Sequence, residues 1–453
     1  MGSTIEIPLW LALVAGLLGL AGLLDRVIGP SLRWVFRKRV NRLLERVNER
    51  LHLKIQPFKL TKRRVLVERL RYDPQVMEAV ERCVQEEGVP RAVAVERVER
   101  YARETVPSFS AYWYFRIGAR AARRVSEALY RVRVGRIDDA ALRAVDPEAA
   151  VVFVMNHRSN MDYLLVTYLA AERSALSYAV GEWANVWGLR SIIRSMGAYF
   201  IRRSSNNPLY RKVVARYVKM ATEGGVTQAV FPEGRLSRDG VLQPPKLGIL
   251  SYITDGFEPG ASRDIVFVPI GMNYDRVLED RVLVRGAEGA SVKVGPLSAA
   301  RFFLRLLWLR LTRRLKKFGY ACVSFGTPVS LREWLSDGRA LDVEALGAHL
   351  MDEVAQVVPV LPVSLVAAEL LEVEMPLATD ALDEAVQARM QALEAAGAYV
   401  LTPRAGPAAV VPLALDMLRL RRLIVEDKGA VAAAPDAAPI LRYYANAIGH
   451  LGA

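Results

Sequence analysis

Short runs of β-branched residues alternate with segments of helical periodicity through the middle of the chain. The predicted strands are residues 150–155, 226–231, 265–270 and 320–325, and two of the predicted helices are residues 161–171 and 209–222. Strands that alternate with helices are typical of an α/β domain. The pattern therefore predicts an α/β domain over residues 108–330.

An uncharged apolar run, residues 7–24, stands near the start of the sequence. As a helix it would be about 27 Å long, which is close to the thickness of one bilayer core. The residues before it contain no Lys or Arg, and the run exceeds the apolar part of a signal peptide. We therefore predict that residues 1–30 form a retained membrane-anchor helix. A buried helix with a solvated basic face is the alternative.

Basic residues follow this apolar run. Residues 25–46 carry one Lys and six Arg against Asp25 and Glu45. By the positive-inside rule, this excess predicts that the bulk of the protein lies at the cytoplasmic face of the membrane. Residues 31–107 are charged, helical in pattern and broken by prolines, so we predict an N-terminal basic helical region there.

The sequence also predicts the secondary structure of three further segments. Residues 301–318 repeat apolar residues and cations at helical spacing, which predicts an interfacial helix or an amphipathic helix packed on the domain. Residues 331–453 are rich in Ala, Leu, Glu and Val and are predicted to be mainly helical, with one small hairpin near residues 397–411. Pro269 lies within the predicted buried strand at residues 265–271 and is expected to end strand pairing near the site.

Composition narrows the class of protein. The 453 residues include 62 Lys and Arg against 48 Asp and Glu, and the net charge of +14 predicts an anionic partner. An apolar content of 52% excludes wholesale disorder. Two Cys and four scattered His supply neither a disulfide framework nor a zinc site, so we expect no bound metal. Walker A, dinucleotide-binding, zincin and α/β-hydrolase motifs are missing from the sequence.

A histidine and an aspartate follow the first long predicted strand. His157 comes directly after this strand, and Asp162 falls in the first turn of the next predicted helix. An imidazole is a suitable general base at neutral pH when a carboxylate fixes its tautomer. The pair could thus activate a hydroxyl group. A capping Asp beside a buried structural His is the alternative.

Two cation-bearing segments follow along the chain. Arg202 and Arg203 end an apolar segment and suit a phosphate group, although two such arginines taken alone are more often a surface pair. The loop after strand 226–231 then offers cations, a hydroxyl and backbone N–H groups to an anion. Its candidate residues are Glu233, Gly234, Arg235, Ser237 and Arg238. A sheet-edge turn with solvated arginines is the alternative interpretation.

Four of these segments resemble the four blocks of the glycerolipid acyltransferase family. The blocks are NHRSNMD at residues 156–162, GAYFIRR at 197–203, FPEGRLSR at 231–238 and VPIG at 268–271. Further stretches resemble the bacterial PlsB-type glycerol-3-phosphate acyltransferases in particular. These are YRVRVG at 130–135, PPKLGILS at 244–251, NYDRVLE at 273–279 and YYANAIGHL at 443–451.

The resemblance implies a mixed β-sheet flanked by helices and a membrane enzyme of the bacterial inner membrane. It implies that His157 deprotonates the sn-1 hydroxyl of glycerol 3-phosphate, which attacks the thioester of acyl-CoA or acyl carrier protein, while Asp162 orients His157. The implied phosphate-site residues are Arg202, Arg203, Glu233, Gly234, Arg235, Ser237, Arg238 and Lys246. No cofactor beyond the acyl donor is implied, and the partners are the two substrates and anionic membrane lipids.

The sequence also departs from the family pattern. The family usually has Arg three residues after the Glu of its third block, where this chain has Leu236, with Arg235 beside it.

Several alternative functions stay open. Lysophosphatidate or dihydroxyacetone phosphate is possible as the acceptor. A non-catalytic, basic membrane-binding scaffold is the alternative from another class, although His157 and Asp162 are both present. No nucleic-acid partner is expected, because the usual binding modules are missing from the sequence.

Overall fold

The computed structural model describes residues 55–171, 175–181, 189–202, 205–287, 308, 312, 316–373 and 375–452. Residues 55–453 group into one compact unit. Its helices are α1 (Pro57–Leu60), α2 (Arg63–Arg71), α3 (Pro74–Glu87), α4 (Arg91–Thr105), α5 (Ala119–Leu129), α6 (Asp139–Ala144), α7 (Met161–Ala170), α8 (Leu189–Ser195), α9 (Pro208–Glu223), α10 (Gly248–Thr254), α11 (Asp280–Ala287), α12 (Leu331–Trp334), α13 (Val343–Gln356), α14 (Pro362–Glu372), α15 (Thr379–Ala395), α16 (Val410–Leu420) and α17 (Ala438–Ala445). A π-helical segment, Trp113–Gly118, leads into α5.

Eight strands form the main sheet and three form a small second sheet. The strands are β1 (Arg131–Val134), β2 (Ala150–Met155), β3 (Ser177–Val180), β4 (Tyr199–Phe200), β5 (Gln228–Val230), β6 (Ile265–Tyr274), β7 (Tyr320–Phe325), β8 (Val329–Ser330), β9 (Leu377–Ala378), β10 (Ile424–Asp427) and β11 (Ala430–Ala433). The main sheet has the order β1-β7-β6-β2-β5-β3-β4, and β8 pairs with β6. The predicted α/β fold with a mixed sheet flanked by helices is confirmed.

The sheet is parallel except around β6, where β7 and β8 are antiparallel. The central strands β2 and β6 are buried along their whole lengths, as expected of strands covered by helices on both faces. Their register pairs Val152 with Phe267, and β5 lies on the other side of β2 in the same direction. Since parallel strands end at the same edge of a sheet, the loops after β2 and β5 lie side by side.

Helices α2–α4 share one hydrophobic core with the sheet. Leu70, Val76 and Val98 are buried in the same cluster as Val152 and Phe267. Apolar residues recur at helical spacing along these helices, so each presents one face to this core. The described residues from 55 to 105 thus form helices, and these helices have an apolar face that packs on the core.

Two local expectations were wrong. The hairpin lies at β10–β11 instead of residues 397–411, which contain a single bridge from Val400 to Val360 and the start of α16. Pro269 does not end β6, which continues to Tyr274. The carbonyl of Pro269 faces the gap between β7 and β8 and accepts a hydrogen bond from the N–H of Gly326. Because the missing N–H of Pro269 faces that same gap, no ladder hydrogen bond is lost.

The apolar run at residues 7–24 and most of residues 301–318 lie outside the described residues. Within the part of the chain that the structure describes, no helix is both long enough and apolar enough to cross a membrane.

Candidate active site

The loops after β2 and β5 form the candidate site. The β2 loop, residues 156–160, joins β2 to α7, and the β5 loop, residues 231–246, joins β5 to the segment before α10. Three backbone and side-chain contacts join the two loops, so they behave as one unit. The N–H of Ser237 donates to the carbonyl of His157 at 2.9 Å, and the N–H of His157 donates to the Glu233 carboxylate at 2.7 Å. The Arg158 guanidinium also donates to the carbonyl of Gly240.

His157 and Asp162 form a buried pair in the β2 loop and the first turn of α7. Nδ1 of His157 lies 2.9 Å from Oδ2 of Asp162, and the two side chains are 2% and 0% exposed. The same oxygen accepts the N–H groups of Arg158 at 2.8 Å and Ser159 at 3.0 Å. The Tyr274 hydroxyl donates to Oδ1 at 2.6 Å. Four donors therefore hold this carboxylate in one orientation, with Nδ1 of the imidazole as one of them.

Aromatic rings fix the plane of the imidazole. Phe231 stacks on His157 with ring centres 4.0 Å apart, and Tyr163 meets it edge-on at 5.5 Å. Nδ1 contacts Asp162, whereas Nε2 of His157 has no hydrogen-bond partner among the described residues. An imidazole oriented by a carboxylate at one nitrogen and unengaged at the other can accept a proton from a hydroxyl group. The geometry thus suits general-base chemistry.

Tyr274 stays protonated in this environment. Burial first, and then the nearby Asp162 carboxylate, raise the pKa of its phenol well above the ordinary value. The hydroxyl is therefore a permanent hydrogen-bond donor to Asp162 at any physiological pH.

Glu233 connects the two loops instead of facing solvent. It is 1% exposed, and its second carboxylate oxygen accepts the N–H of Gln243 at 3.1 Å. Burial raises the pKa of Glu233 to about 7, although its two N–H donors act in the opposite direction. Its position in the third block thus serves the shape of the β5 loop and of the backbone at His157.

Ser237 and Gly234 also shape the β5 loop. The Ser237 hydroxyl donates to the carbonyl of Val241 at 2.9 Å and accepts the N–H of Gly240 at 3.0 Å. Gly234 has a φ of +68°, and a Cβ there would lie 2.8 Å from Cδ of Lys246. The left-handed backbone therefore favours glycine at this turn, and a larger residue would also displace the flexible side chain of Lys246.

The remaining predicted cations fall into two groups. Arg235, Arg238 and Lys246 are exposed on the β5 loop, and none of the three forms an ion pair with a described residue. Arg202 instead makes a bidentate pair with Glu104 of α4, at 2.9 and 2.6 Å. It follows β4, three strands from β2 and thus about 14 Å away across the sheet. Arg203 lies outside the described residues.

Residues that the sequence analysis did not single out surround the β2 loop. Glu279 accepts the Ser159 hydroxyl at 2.7 Å and the amide of Asn160 at 3.1 Å. Arg158 is buried beneath the ring of Tyr443, with 4.8 Å from guanidinium carbon to ring centre. These residues fall in the block NHRSNMD and in the stretches NYDRVLE and YYANAIGHL, so the resemblance already contained a signal for them.

Three residues near the end of the chain hold the site from outside. This C-terminal clasp consists of Tyr443, Tyr444 and Asn446. The Tyr443 hydroxyl donates to the carbonyl of Arg158 at 3.3 Å, and the Asn446 amide donates to the carbonyl of Asp239 at 2.9 Å. The Tyr444 hydroxyl accepts the N–H of Val277 at 3.0 Å. The clasp thus contacts the β2 loop, the β5 loop and the segment after β6.

The described residues hold no group of three or more His, Cys, Asp or Glu side chains placed to bind a metal ion.

Two protein families match the chain. Residues 136–273, which include the β2 and β5 loops, match the Acyltransferase family. Residues 306–453, which include the C-terminal clasp, match the Glycerol-3-phosphate acyltransferase C-terminal region.

Individual relatives agree with these families. A glycerol-3-phosphate acyltransferase of Aeromonas hydrophila is 30% identical over 62% of this chain and 34% of its own length. That of Actinobacillus succinogenes is 26% identical over 87% of this chain and 50% of its own length. The chain thus spans between a third and a half of the length of these relatives. A crystal structure of the 1-acyl-sn-glycerophosphate acyltransferase PlsC from Thermotoga maritima matches with 15% identity and a TM-score of 0.29, covering 64% of this chain and 98% of that one.

Proposed function

From the matches of residues 136–273 to the Acyltransferase family and of residues 306–453 to the Glycerol-3-phosphate acyltransferase C-terminal region, we propose that the chain transfers a fatty acyl group to glycerol 3-phosphate. The donor is the thioester of acyl-CoA or acyl carrier protein, and the product is lysophosphatidate. The observation that carries the proposal is the buried His157–Asp162 pair, whose imidazole keeps Nε2 without a described partner.

The proposed reaction is one displacement at the thioester carbonyl. Nε2 of His157 takes the proton of the sn-1 hydroxyl while Asp162 holds Nδ1–H. The glycerol oxygen bonds to the carbonyl carbon, the carbon–sulfur bond breaks, and the imidazolium returns the proton to the leaving thiolate. Asp162, held by its four donors, stabilises the imidazolium that forms between these steps.

We assign the acceptor's phosphate to the β5 loop. Arg235, Arg238 and Lys246 are exposed there and lack ion pairs with described residues, so their charges are available to a dianion. Glu233 and Ser237 act by fixing the loop that carries these cations. Arg203 stays a prediction, and Arg202 contributes only if its pair with Glu104 opens.

Membrane attachment is part of the proposal. The product is a lipid, and the apolar run at residues 7–24 followed by cations suits an anchor with the enzyme on the cytoplasmic face of the inner membrane. The net charge of +14 favours contact with anionic lipids.

The test is an acylation assay of the full chain in detergent with added lipid. Palmitoyl-CoA is offered with glycerol 3-phosphate, lysophosphatidate or dihydroxyacetone phosphate in parallel. We expect lysophosphatidate from glycerol 3-phosphate, and a loss of about 10²–10⁴-fold in kcat for His157→Ala. His349→Ala removes a histidine that stacks on Trp334 outside the site and serves as the matched control.

Each alternative has its own outcome in this assay. Acylation of lysophosphatidate or dihydroxyacetone phosphate alone would assign a different acceptor. Full activity of His157→Ala would remove this residue as the base. Inactivity with every acceptor, with both CoA and carrier-protein thioesters, would favour the membrane-binding scaffold.

A further inference from the structure

A two-lobed groove lies beside the candidate site, between α11 and the turn after α16. Its first lobe has a volume of about 450 Å³ and is lined by four arginines, Arg276, Arg281, Arg421 and Arg422, with Asp280 as the acidic residue among its lining. Its second lobe has about 350 Å³ and shares Arg281 and Arg422. The rest of its lining is mostly Ala, Pro and aliphatic side chains, together with Arg285 and Asp436. One lobe is thus cationic and the adjoining one mainly apolar.

The cationic lobe has a large excess of positive charge. The Asp280 carboxylate is occupied by the Arg421 guanidinium and the Tyr444 hydroxyl. Burial first, and then the nearby charge of Arg421, lower the pKa of Arg276, although the Asp280 carboxylate acts in the opposite direction. Arg276, Arg281 and Arg422 form no ion pair with a described residue. Many other arginines of the described chain, such as Arg97 and Arg389, do pair with a carboxylate.

The backbone at Arg422 adds an independent observation. α16 ends in a Schellman motif, in which the N–H of Leu423 donates to the carbonyl of Leu418 and that of Arg422 to the carbonyl of Arg419. Arg422 occupies the left-handed position of this motif with a φ of +56°, where glycine is the usual residue. An arginine there costs backbone energy relative to glycine, which favours a role for its side chain.

The groove is connected to the β2 loop. Asp280 follows Glu279, which binds Ser159 and Asn160. Tyr444, which binds Asp280, follows Tyr443, which contacts Arg158. Asp280 in the groove lining is thus next in the chain to Glu279, which contacts the β2 loop, and is hydrogen-bonded to Tyr444, the neighbour of Tyr443.

We infer that this groove binds the nucleotide end of the acyl-CoA donor, with its phosphates among Arg276, Arg281 and Arg422 and its adenine in the apolar lobe. Phosphate groups are the ligands that convergent guanidinium groups recognise best. The pantetheine arm then extends past Glu279 towards His157. This inference rests on the proposed function for the identity of the thioester, but binding in the groove does not require turnover.

The experiment uses the full chain and adenosine 3′,5′-bisphosphate as the probe, measured by isothermal titration calorimetry. Arg422→Gly and Arg281→Ala are the test variants. Glycine relieves the left-handed backbone at residue 422, so Arg422→Gly removes the cation without a cost in folding. Arg404→Ala, an exposed arginine outside the groove, is the matched control.

We expect each test variant to raise the Kd of the probe about tenfold, as the loss of a charge-assisted hydrogen bond implies. The KM for palmitoyl-CoA should rise by a similar factor. The kcat/KM for S-palmitoyl-pantetheine, which has no nucleotide, and the KM for glycerol 3-phosphate should stay unchanged. If the wild type binds the probe but acylates no acceptor, the proposed function fails while the groove assignment stands.

Three results would overturn the assignment. The first is an unchanged Kd and KM in both test variants. The second is an equal rise in KM for both thioesters, which would indicate a general disturbance of the site. The third is a selective loss of binding to phosphatidate vesicles or of activity with acyl carrier protein, because the groove would then serve a lipid headgroup or a protein partner.

Discussion

The hydroxyl of Tyr274 offers a direct test of how Asp162 is held. Tyr274→Phe removes the 2.6 Å hydrogen bond to Oδ1 of Asp162 in a fully buried environment. A hydrogen bond to a charged group contributes about 1.5–3 kcal/mol, so we expect the free energy of unfolding to fall by that amount. Oδ2 keeps its contacts with His157 and two backbone N–H groups, but Oδ1 is left buried without a donor.

Without the donor to Oδ1, the Asp162 carboxylate can rotate, and a rotated carboxylate stabilises the imidazolium of the transition state less well. If about 1.4 kcal/mol of the lost hydrogen-bond energy is lost from the transition state, kcat falls about tenfold. The KM for glycerol 3-phosphate should not change, because Tyr274 is placed away from the β5 loop cations. Steady-state kinetics and urea unfolding of the same preparations measure the two effects.

Tyr130→Phe is the matched control for Tyr274→Phe. Tyr130 is also buried, its ring lies 5.4 Å from that of Tyr274, and its hydroxyl donates to the carbonyl of Arg276 at 2.7 Å. It has no contact with Asp162, so we expect a loss of about 1 kcal/mol in stability and unchanged kcat. Equal kcat values for Tyr274→Phe and wild type would refute the role assigned to the Tyr274 hydroxyl.

Three further changes test other parts of the site. In Gly240→Ala, the new Cβ would lie 2.0 Å from the carbonyl oxygen of Tyr443, so we expect lost activity and earlier thermal unfolding. Because burial raises the pKa of Glu233 from 4.5 to about 7, its contribution to stability falls as the pH rises through this window, by about 2.5 kcal/mol between about pH 5 and about pH 8. Urea unfolding of wild type and Glu233→Gln at both pH values measures this difference. Arg235→Ala should raise the KM for glycerol 3-phosphate about tenfold, whereas Arg202→Ala should leave it unchanged and lower stability instead.

A specific result would contradict each of these three predictions. Wild-type activity in Gly240→Ala would show that the C-terminal helix α17 can move away without harm. A pH-independent stability difference between wild type and Glu233→Gln would contradict the raised pKa of this carboxyl. A larger KM for glycerol 3-phosphate in Arg202→Ala than in Arg235→Ala would place the phosphate-binding site at the end of β4 instead of in the β5 loop.

The sequence predicts the sheet and the contact between His157 and Asp162 well, for local reasons. Strand β2 is a continuous apolar run, and His157 and Asp162 are separated by one strand end and one helix start, so their contact follows from five residues of chain. The side-by-side position of the β2 and β5 loops follows from the parallel direction of their strands.

Contacts between distant segments could not be predicted in this way. Arg202 suits a phosphate when seen alone, but Glu104, which binds it, is 98 residues earlier on α4. The short hairpin β10–β11 turns at Lys428 and Gly429, and Arg422 stands just before it; of these three left-handed positions only one carries the glycine that signals a turn. Pairings of this kind depend on the packed fold and leave no periodic pattern in the sequence.

The C-terminal clasp has a consequence for the order of synthesis. The Tyr443 hydroxyl donates to the carbonyl of Arg158, which lies 285 residues earlier in the chain. Ribosomes add about 5–20 residues per second, so about 15–60 s pass between the synthesis of the β2 loop and that of its last partner. During that interval the nascent chain carries His157 and Asp162 without the residues that enclose them. The candidate site is therefore complete only after translation has passed Asn446, and a chain released earlier has an incomplete site.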